Sequence, residues 1–292
     1  MSVWLWVLLS CAIAALAWGS LIERHWYAIR RETLAVLPAG AAPIRVLHIG
    51  DIHLAHWQKR KVRFLRSLAR LEPDLVVNTG DNLGARGSEA ALLEALEPLA
   101  STPGAFVNGS NDYHAPKPRN PLSYLSGPSQ VIGEVPLDTK ALVAGFKSFG
   151  WLDLNNAIGQ IVVAGNELGF VGVDDAHDGL DDEAVAAKSA AELAGFKIGV
   201  SHAPYRRVIN AFERSGCQVV FAGHTHGGQV CLPWFRAIIT NCDLPAKYAK
   251  GLSFWGASKM ALNVTAGLGH SIYAPIRFFC RPEVRLLTLV AA

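Results

Sequence analysis

The chain has 292 residues, 51% of them apolar, and a formal net charge of +3. It can bury one large core and still spare a membrane segment, while so mild a charge gives no reason to expect a nucleic-acid partner. Of five cysteines, Cys11 lies in the apolar N-terminal segment; Cys217, Cys231, Cys242 and Cys280 show no compact disulfide spacing.

Residues 1–22 carry no charged side chain, and Trp4, Trp6 and Trp18 stand toward the segment's ends. As a helix, 22 residues rise about 33 Å, against a hydrocarbon core of about 30 Å. Interfacial indoles suit a span. We expect a transmembrane anchor over 1–22 and one catalytic domain over 23–292, single-pass at the cell membrane. A cleaved signal peptide with Ala15-Leu16-Ala17 as its site is the rival, although it lacks a basic n-region; a buried apolar helix is the third reading. Arg24, Arg30 and Arg31 follow the segment and none precedes it, which places the domain on the cytoplasmic face. Residues 26–37 also alternate as a strand would, so those arginines have a structural reading too.

Strand and helix signals then alternate: a strand over 44–49, a basic helix over 59–70, a strand over 74–79 and a helix over 88–99. That order predicts βαβ units and a largely parallel sheet. Lys59, Arg60, Lys61, Arg63, Arg66 and Arg70 read as a solvated face, with docking on anionic lipid as the functional alternative. Residues 116–136, rich in proline and glycine, read as a loop shaping substrate access. Strands follow over 160–164 and 169–173, a helix over 181–193, and strands over 197–201, 217–222, 261–264 and 284–290. The last two, with no helix between them, suit a second sheet packed on the first.

Three fragments end these strands: Asp51-Ile52-His53, Gly80-Asp81-Asn82 and Gly223-His224-Thr225-His226. An α/β sheet delivers side chains to one crevice at its carboxyl edge in this way. Each fragment alone has an ordinary reading as a turn or cap. Alternate residues of His-x-His share a face and can reach one ion or two adjacent ones. Mixed carboxylates and imidazoles suit a divalent ion such as Mn, Fe or Zn, and an aspartate can bridge two of them.

With Gly109-Ser110-Asn111-Asp112, Ser201-His202, Gly227-Gly228-Gln229 and Arg277-Phe278-Phe279-Cys280-Arg281-Pro282-Glu283, the set resembles the calcineurin-like metallophosphoesterases, in their small membrane-associated bacterial phosphodiesterase type. The resemblance runs from about residue 24 to the C-terminus. It implies two mixed β-sheets packed as a sandwich flanked by helices, behind the N-terminal transmembrane helix. It further implies a dinuclear centre: Asp51, His53 and His226 on the first ion, Asp81 bridging, His202 and His224 on the second with a carboxamide from the third motif. A bridging hydroxide would then attack a small-molecule or lipid-linked phosphate ester.

The third motif departs from the family's Gly-Asn-His-Asp/Glu. In a direct alignment Ser110 takes the metal position and Asn111 that of the histidine. In a shifted one Asn111 Oδ1 reaches the metal and the histidine has no counterpart. The shifted reading is favoured here, because hard ions take carboxylate, carbonyl or water oxygens. Either way the acid-like histidine is missing, which predicts a preference for low-pKa leaving groups or a substitute acid in His114. Asp112 would tether the loop. His25, His48, His56, His177 and His270 match no ligand spacing; Asp174-Asp175 end a strand within reach of the site but read first as turn caps; Ser110 and Ser201 lack the context of a nucleophilic triad. The expected activity is metal-dependent phosphodiester or pyrophosphate hydrolysis. The rivals are a metal-binding scaffold that has lost catalysis and an extracytoplasmic hydrolase of envelope phosphates.

Overall fold

The computed structural model describes residues 2–116, 135–232, 237–270 and 273–292. The expected access loop at 116–136 lies almost wholly outside them.

The apolar N-terminus forms α1 (Val3–Ala17), which continues through a π-helical turn at Trp18–Ile22 and a 3-10 turn at Glu23–His25. The stretch Val3–His25 is long and apolar enough to cross a membrane. Its helical character does not stop at residue 22, and its last turns are built into the domain. Gly19 accepts a backbone hydrogen bond from Arg277 N at 3.1 Å, and a Cβ there would lie 2.7 Å from Arg277 O. Glu23, only 4% exposed, accepts from Trp18 Nε1 at 2.8 Å and from the N–H groups of Phe279 and Cys280 at 3.1 and 2.6 Å. Buried carboxylates persist where donors surround them in this way.

The first sheet begins with β1 (Ala28–Leu37), β2 (Ile44–Ile49), β3 (Leu75–Asn78) and β4 (Gly104–Phe106). Between them run α2 (Lys59–Ser67) and α3 (Glu89–Leu96). Short α4 (Ser110–Tyr113) follows, then a two-stranded ribbon of β5 (His114–Ala115) and β6 (Val135–Pro136). Next come α5 (Thr139–Ser148) and β7 (Leu152–Asp153). The second sheet takes β8 (Ala157–Val163), β9 (Asn166–Gly172), β10 (Phe196–Ser201), β11 (Val219–Ala222), β12 (Gly251–Trp255) and β13 (Met260–Val264), with α6 (Ala184–Glu192) and α7 (Arg206–Arg214) between strands.

The sheet orders are β1-β14-β2-β3-β4-β7 and β12-β13-β11-β10-β9-β8, where β14 is Glu283–Ala291. The two tail strands thus part company: β13 extends the second sheet, while β14 returns to the first, parallel to β1 and antiparallel to β2. Alternation along a strand sends one face inward, so Val46, Leu75, Val77, Ala105, Ile198, Val200, Val219, Phe221 and Leu287 meet in one apolar layer between the sheets. Helices α2, α3 and α5 cover the outside of the first sheet through Leu65, Leu92, Leu96, Leu142 and Phe146. Helix α7 covers the second through Val208, Ile209 and Phe212. The architecture is mixed α/β, two large sheets flanked by helices.

Candidate metal centre

Parallel pairing of β2 with β3 and β3 with β4, and of β10 with β9 and β11, points six carboxyl ends at one edge of the sandwich. The loop after β2 carries Asp51 and His53, and the loop after β3 carries Asp81. His202 follows β10, and His224 and His226 follow β11. The first two loops are zipped together by Asp51 N to Gly80 O (2.8 Å), His53 N to Asp81 O (2.9 Å) and Leu54 N to Asn82 O (2.8 Å). Glycine is required where the loops touch: a Cβ on Gly223 would lie 2.5 Å from Asp51 Oδ2. Asp51, His53, Asp81, His224 and His226 all adopt positive φ, between 43° and 68°. Such non-glycine conformations cost about 1–3 kcal/mol each and persist where surrounding structure imposes them.

The side chains converge in two lobes about Asp81. On one side, His53 Nε2 stands 3.3 Å from Asp81 Oδ2 and 3.1 Å from His226 Nε2, and His226 Nε2 is 3.7 Å from Asp51 Oδ1. The donor atoms of Asp51, His53, Asp81 and His226 all lie within 4.8 Å of one another. On the other side, His202 Nε2 stands 3.5 Å from Asp81 Oδ1 and 3.3 Å from His224 Nδ1. His202 Nδ1 faces Thr79 O at 2.8 Å and His224 Nε2 faces Asn241 O at 3.0 Å. A carbonyl can only accept, so His202 Nδ1 and His224 Nε2 carry protons; the facing nitrogens, His202 Nε2 and His224 Nδ1, offer two lone pairs once the second proton of His202 is gone. Two lone pairs aimed at each other, with a carboxylate oxygen alongside, form a donor set that fits a divalent cation. His53 Nδ1 is buried without a hydrogen-bond partner among the described residues.

The charges suit the same occupant. Burial pushes the Asp51 carboxyl up to about 7. Burial raises Asp81 as well, but His202 and His53 outweigh it and bring the group down to about 2. Burial lowers His53 to about 4 and holds His224 and His226 well below the usual imidazole value. His202 alone is carried up, to about 9, because Asp81, Asp175 and Asp51 overcome its burial. Three neutral imidazoles beside an ionised aspartate are what a cation binds; the proton on His202 is what it displaces.

In the third motif, Asn111 donates from its backbone N to Asp81 Oδ1 (2.8 Å) and from Nδ2 to Asp81 Oδ2 (2.9 Å), the oxygen that faces His53. Ser110 Oγ instead donates to Asp175 Oδ2 at 2.5 Å. Asp112 ties the loop: its carboxylate accepts from Asn82 N (2.7 Å), Leu83 N (3.3 Å), Gly109 N (3.1 Å) and Asn82 Nδ2 (3.1 Å). His114 Nδ1 faces Asp178 Oδ2 at 3.9 Å, and its ring lies 6.4 Å from that of Tyr113.

Four further residues, none of them an expected ligand, support the site. Asp175, fully buried, follows the carboxyl end of β9; besides capping His177 N at 3.0 Å it meets Ser110. The His177 ring packs 4.5 Å from that of His224. Lys61 corrects the picture of a wholly solvated basic face: Lys59, Arg60, Arg63, Arg66 and Arg70 are exposed, but Lys61 is buried and donates to Ile52 O (2.7 Å) and His53 O (3.2 Å). Arg277 lies fully buried beneath the His226 loop. It donates to Ala266 O (2.7 Å), Gly269 O (2.5 Å), Gly267 O (3.3 Å), His226 O (3.2 Å) and Cys280 O (3.4 Å), and its guanidinium is 3.3 Å from His226 Nδ1. A strand-terminal Asp beside a His-bearing strand was the available signal for Asp175.

Comparison with known proteins agrees with this geometry. Residues 44–228 match the family model for calcineurin-like phosphoesterases. The chain is 27% identical over 273 residues to phosphodiesterase YaeI of Escherichia coli (strain K12), covering 92% of this chain and 90% of that protein. It is 28% identical over 286 residues to UDP-2,3-diacylglucosamine pyrophosphatase LpxG of Chlamydia muridarum, covering 84% and 83%. Similarity to the metallophosphoesterase YkuE of Bacillus subtilis is 24% over 279 residues, covering 92% and 87%. The names of these relatives, a phosphodiesterase, a pyrophosphatase and a metallophosphoesterase, are those of enzymes that cleave phosphate linkages. The chain belongs to the calcineurin-like phosphoesterase family.

Proposed function

We propose that the chain is a membrane-anchored phosphodiesterase or pyrophosphatase with a dinuclear metal centre. Asp51, His53, Asp81 and His226 would hold one ion, and Asp81, His202 and His224 the other. The observation that carries this reading is the division of Asp81, one carboxylate oxygen toward each imidazole pair. Divalent ions held there supply Lewis-acid neutralisation of phosphate oxygens and acidify water. Mn, Fe and Zn all suit the mixed imidazole and carboxylate set.

The chain's own residues do the positioning. Zipped loops fix Asp51 and Asp81, carbonyls orient His202 and His224, and Asn111 binds Asp81 where the family's histidine would be expected. With Asn111 rather than a histidine against Asp81, the site favours esters of low-pKa alcohols and acid anhydrides unless His114 serves as the acid. A diacylated sugar nucleotide in the name of one relative supports a lipid-linked phosphate ester as substrate. So does a catalytic domain whose anchor ends inside it.

The test is hydrolysis of bis-nitrophenyl phosphate by the full chain in detergent, with and without added manganese, against Asp81→Asn. Metal-dependent turnover lost in the variant supports the reading. Two bound ions without turnover would leave a metal-binding scaffold, and no bound ion would refute both. Equal efficiency on alkyl and nitrophenyl diesters, unaffected by His114→Ala, would refute the leaving-group argument. The domain is proposed to face the cytoplasm, although Arg30 is paired with Glu283 at 3.2 Å, which leaves Arg24 and Arg31 as the flanking charge. A reporter fused at the C-terminus distinguishes this from an extracytoplasmic hydrolase of envelope phosphates.

A further inference from the structure

The second lobe, as built from His202, His224 and Asp81 Oδ1, has fewer oxygen donors than the first, which also has Asp51. The third motif does not make up the difference with its carboxamide, since Asn111 lies against Asp81 Oδ2 on the His53 side. Ser110 occupies the next position back, directly after Gly109, whose Cβ would meet Asp81 Oδ1 at 2.4 Å and the His202 ring at 2.7 Å.

We propose that the Ser110–Asp175 pair replaces the missing carboxamide, with Ser110 Oγ as the oxygen donor to the His202–His224 lobe and Asp175 as the buried anion that strengthens it. This rests on the dinuclear reading. A serine has one proton and two lone pairs. Here the proton is committed to Asp175 at 2.5 Å, within the range of short charge-assisted hydrogen bonds, so the oxygen is left with acceptor capacity only and is polarised toward the anion. A neutral hydroxyl is a poor ligand; one hydrogen-bonded to a carboxylate is a better one, as second-shell carboxylates make metal-bound histidines.

Asp175 has the marks of a residue placed for a cation. It is fully buried, and among the described residues it forms no ion pair with Lys or Arg; its acceptor contacts are Ser110 Oγ and His177 N. A buried carboxylate without a counter-charge is costly to keep. Its route into the site is the route of the other acidic and histidine side chains: it stands beyond the carboxyl end of β9, the parallel neighbour of β10, which delivers His202.

The experiment counts and ranks manganese sites on the full chain in detergent, by calorimetric titration and by the exchange-coupled signal of a manganese pair in electron paramagnetic resonance. Wild type should bind two ions. Asp175→Asn and, separately, Ser110→Ala should weaken the second ion by about 10–100-fold, the range seen for outer-shell partners, and leave the first unchanged. Ser110→Asn restores a self-sufficient carboxamide, so in the Asp175→Asn background it should bring the second affinity back to within about threefold of wild type. Ser110→Ala keeps the test open if Asp175→Asn does not fold. Two ions on wild type with unchanged second affinity in the folded variants would overturn the pair's role and leave the dinuclear reading standing. A single ion on saturated wild type would overturn both.

Discussion

Arg277→Met removes a buried cation that holds a loop by its carbonyls. The guanidinium donates to five backbone oxygens, of Ala266, Gly267, Gly269, His226 and Cys280, and the residue is fully buried. Methionine keeps an apolar stem of similar reach and no donor. At about 2 kcal/mol for each acceptor left unsatisfied, the gross loss approaches about 10 kcal/mol. Against that stands the several kcal/mol recovered by no longer burying a guanidinium. The net expectation is a destabilisation of about 3–5 kcal/mol, in line with removal of one partner from a buried polar network. For a domain of this size that lowers the thermal midpoint by about 10 °C. The assay is unfolding of the full chain in detergent with excess chelator, so that metal affinity does not enter. A fall of less than about 3 °C would refute the reasoning, because the five contacts would then be incidental to the loop's stability.

Other predictions follow from the same geometry. Asp81→Asn should cut metal-dependent turnover by at least about 10³-fold, since one carboxylate serves both lobes; a loss of less than tenfold would remove Asp81 from its central place. Manganese at about 100 times its Kd should stabilise the protein by about 3 kcal/mol, read as a rise of several degrees in the thermal midpoint that chelator reverses. Lys61, lowered by burial to about 7, stays unprotonated in the folded protein up to its ordinary 10.5, where the unfolded chain still binds a proton. Unfolding free energy should therefore rise with pH across that window by up to about 1 kcal/mol per unit, and Lys61→Met should abolish that slope. Glu23→Ala strands the donors of Trp18, Phe279 and Cys280 and should cost about 2–4 kcal/mol, measured by chemical denaturation; no change would mean that the anchor's end is not fastened to the domain.

The metal-site frame was legible because it is local. A hydrophobic run, a glycine and an Asp or His are contiguous in the chain, and a parallel sheet carries such junctions to one edge regardless of what lies between them. The strands ending before Asp51, Asp81, His202 and His224 lie where the alternation and turn signals put them. Helix α7 escaped, although Val208, Ile209 and Phe212 recur at helical spacing; the charged residues at both its ends obscured the stripe. Tertiary structure alone decided the rest. Whether β14 joins the first or the second sheet depends on which edge is free, and no residue in 284–290 encodes that. Lys61 and Arg277 look like ordinary surface cations until loops close over them, because burial belongs to the neighbours and not to the side chain. Ser110 and Asp175 are 65 residues apart, one beyond β4 of the first sheet and the other beyond β9 of the second, and only the packing of the two sheets brings hydroxyl and carboxylate within hydrogen-bonding distance. The sequence by itself determined which residue types stand at the strand ends; the packing of two sheets decided which of them face one another, since distance across a crevice is not written in spacing along a chain.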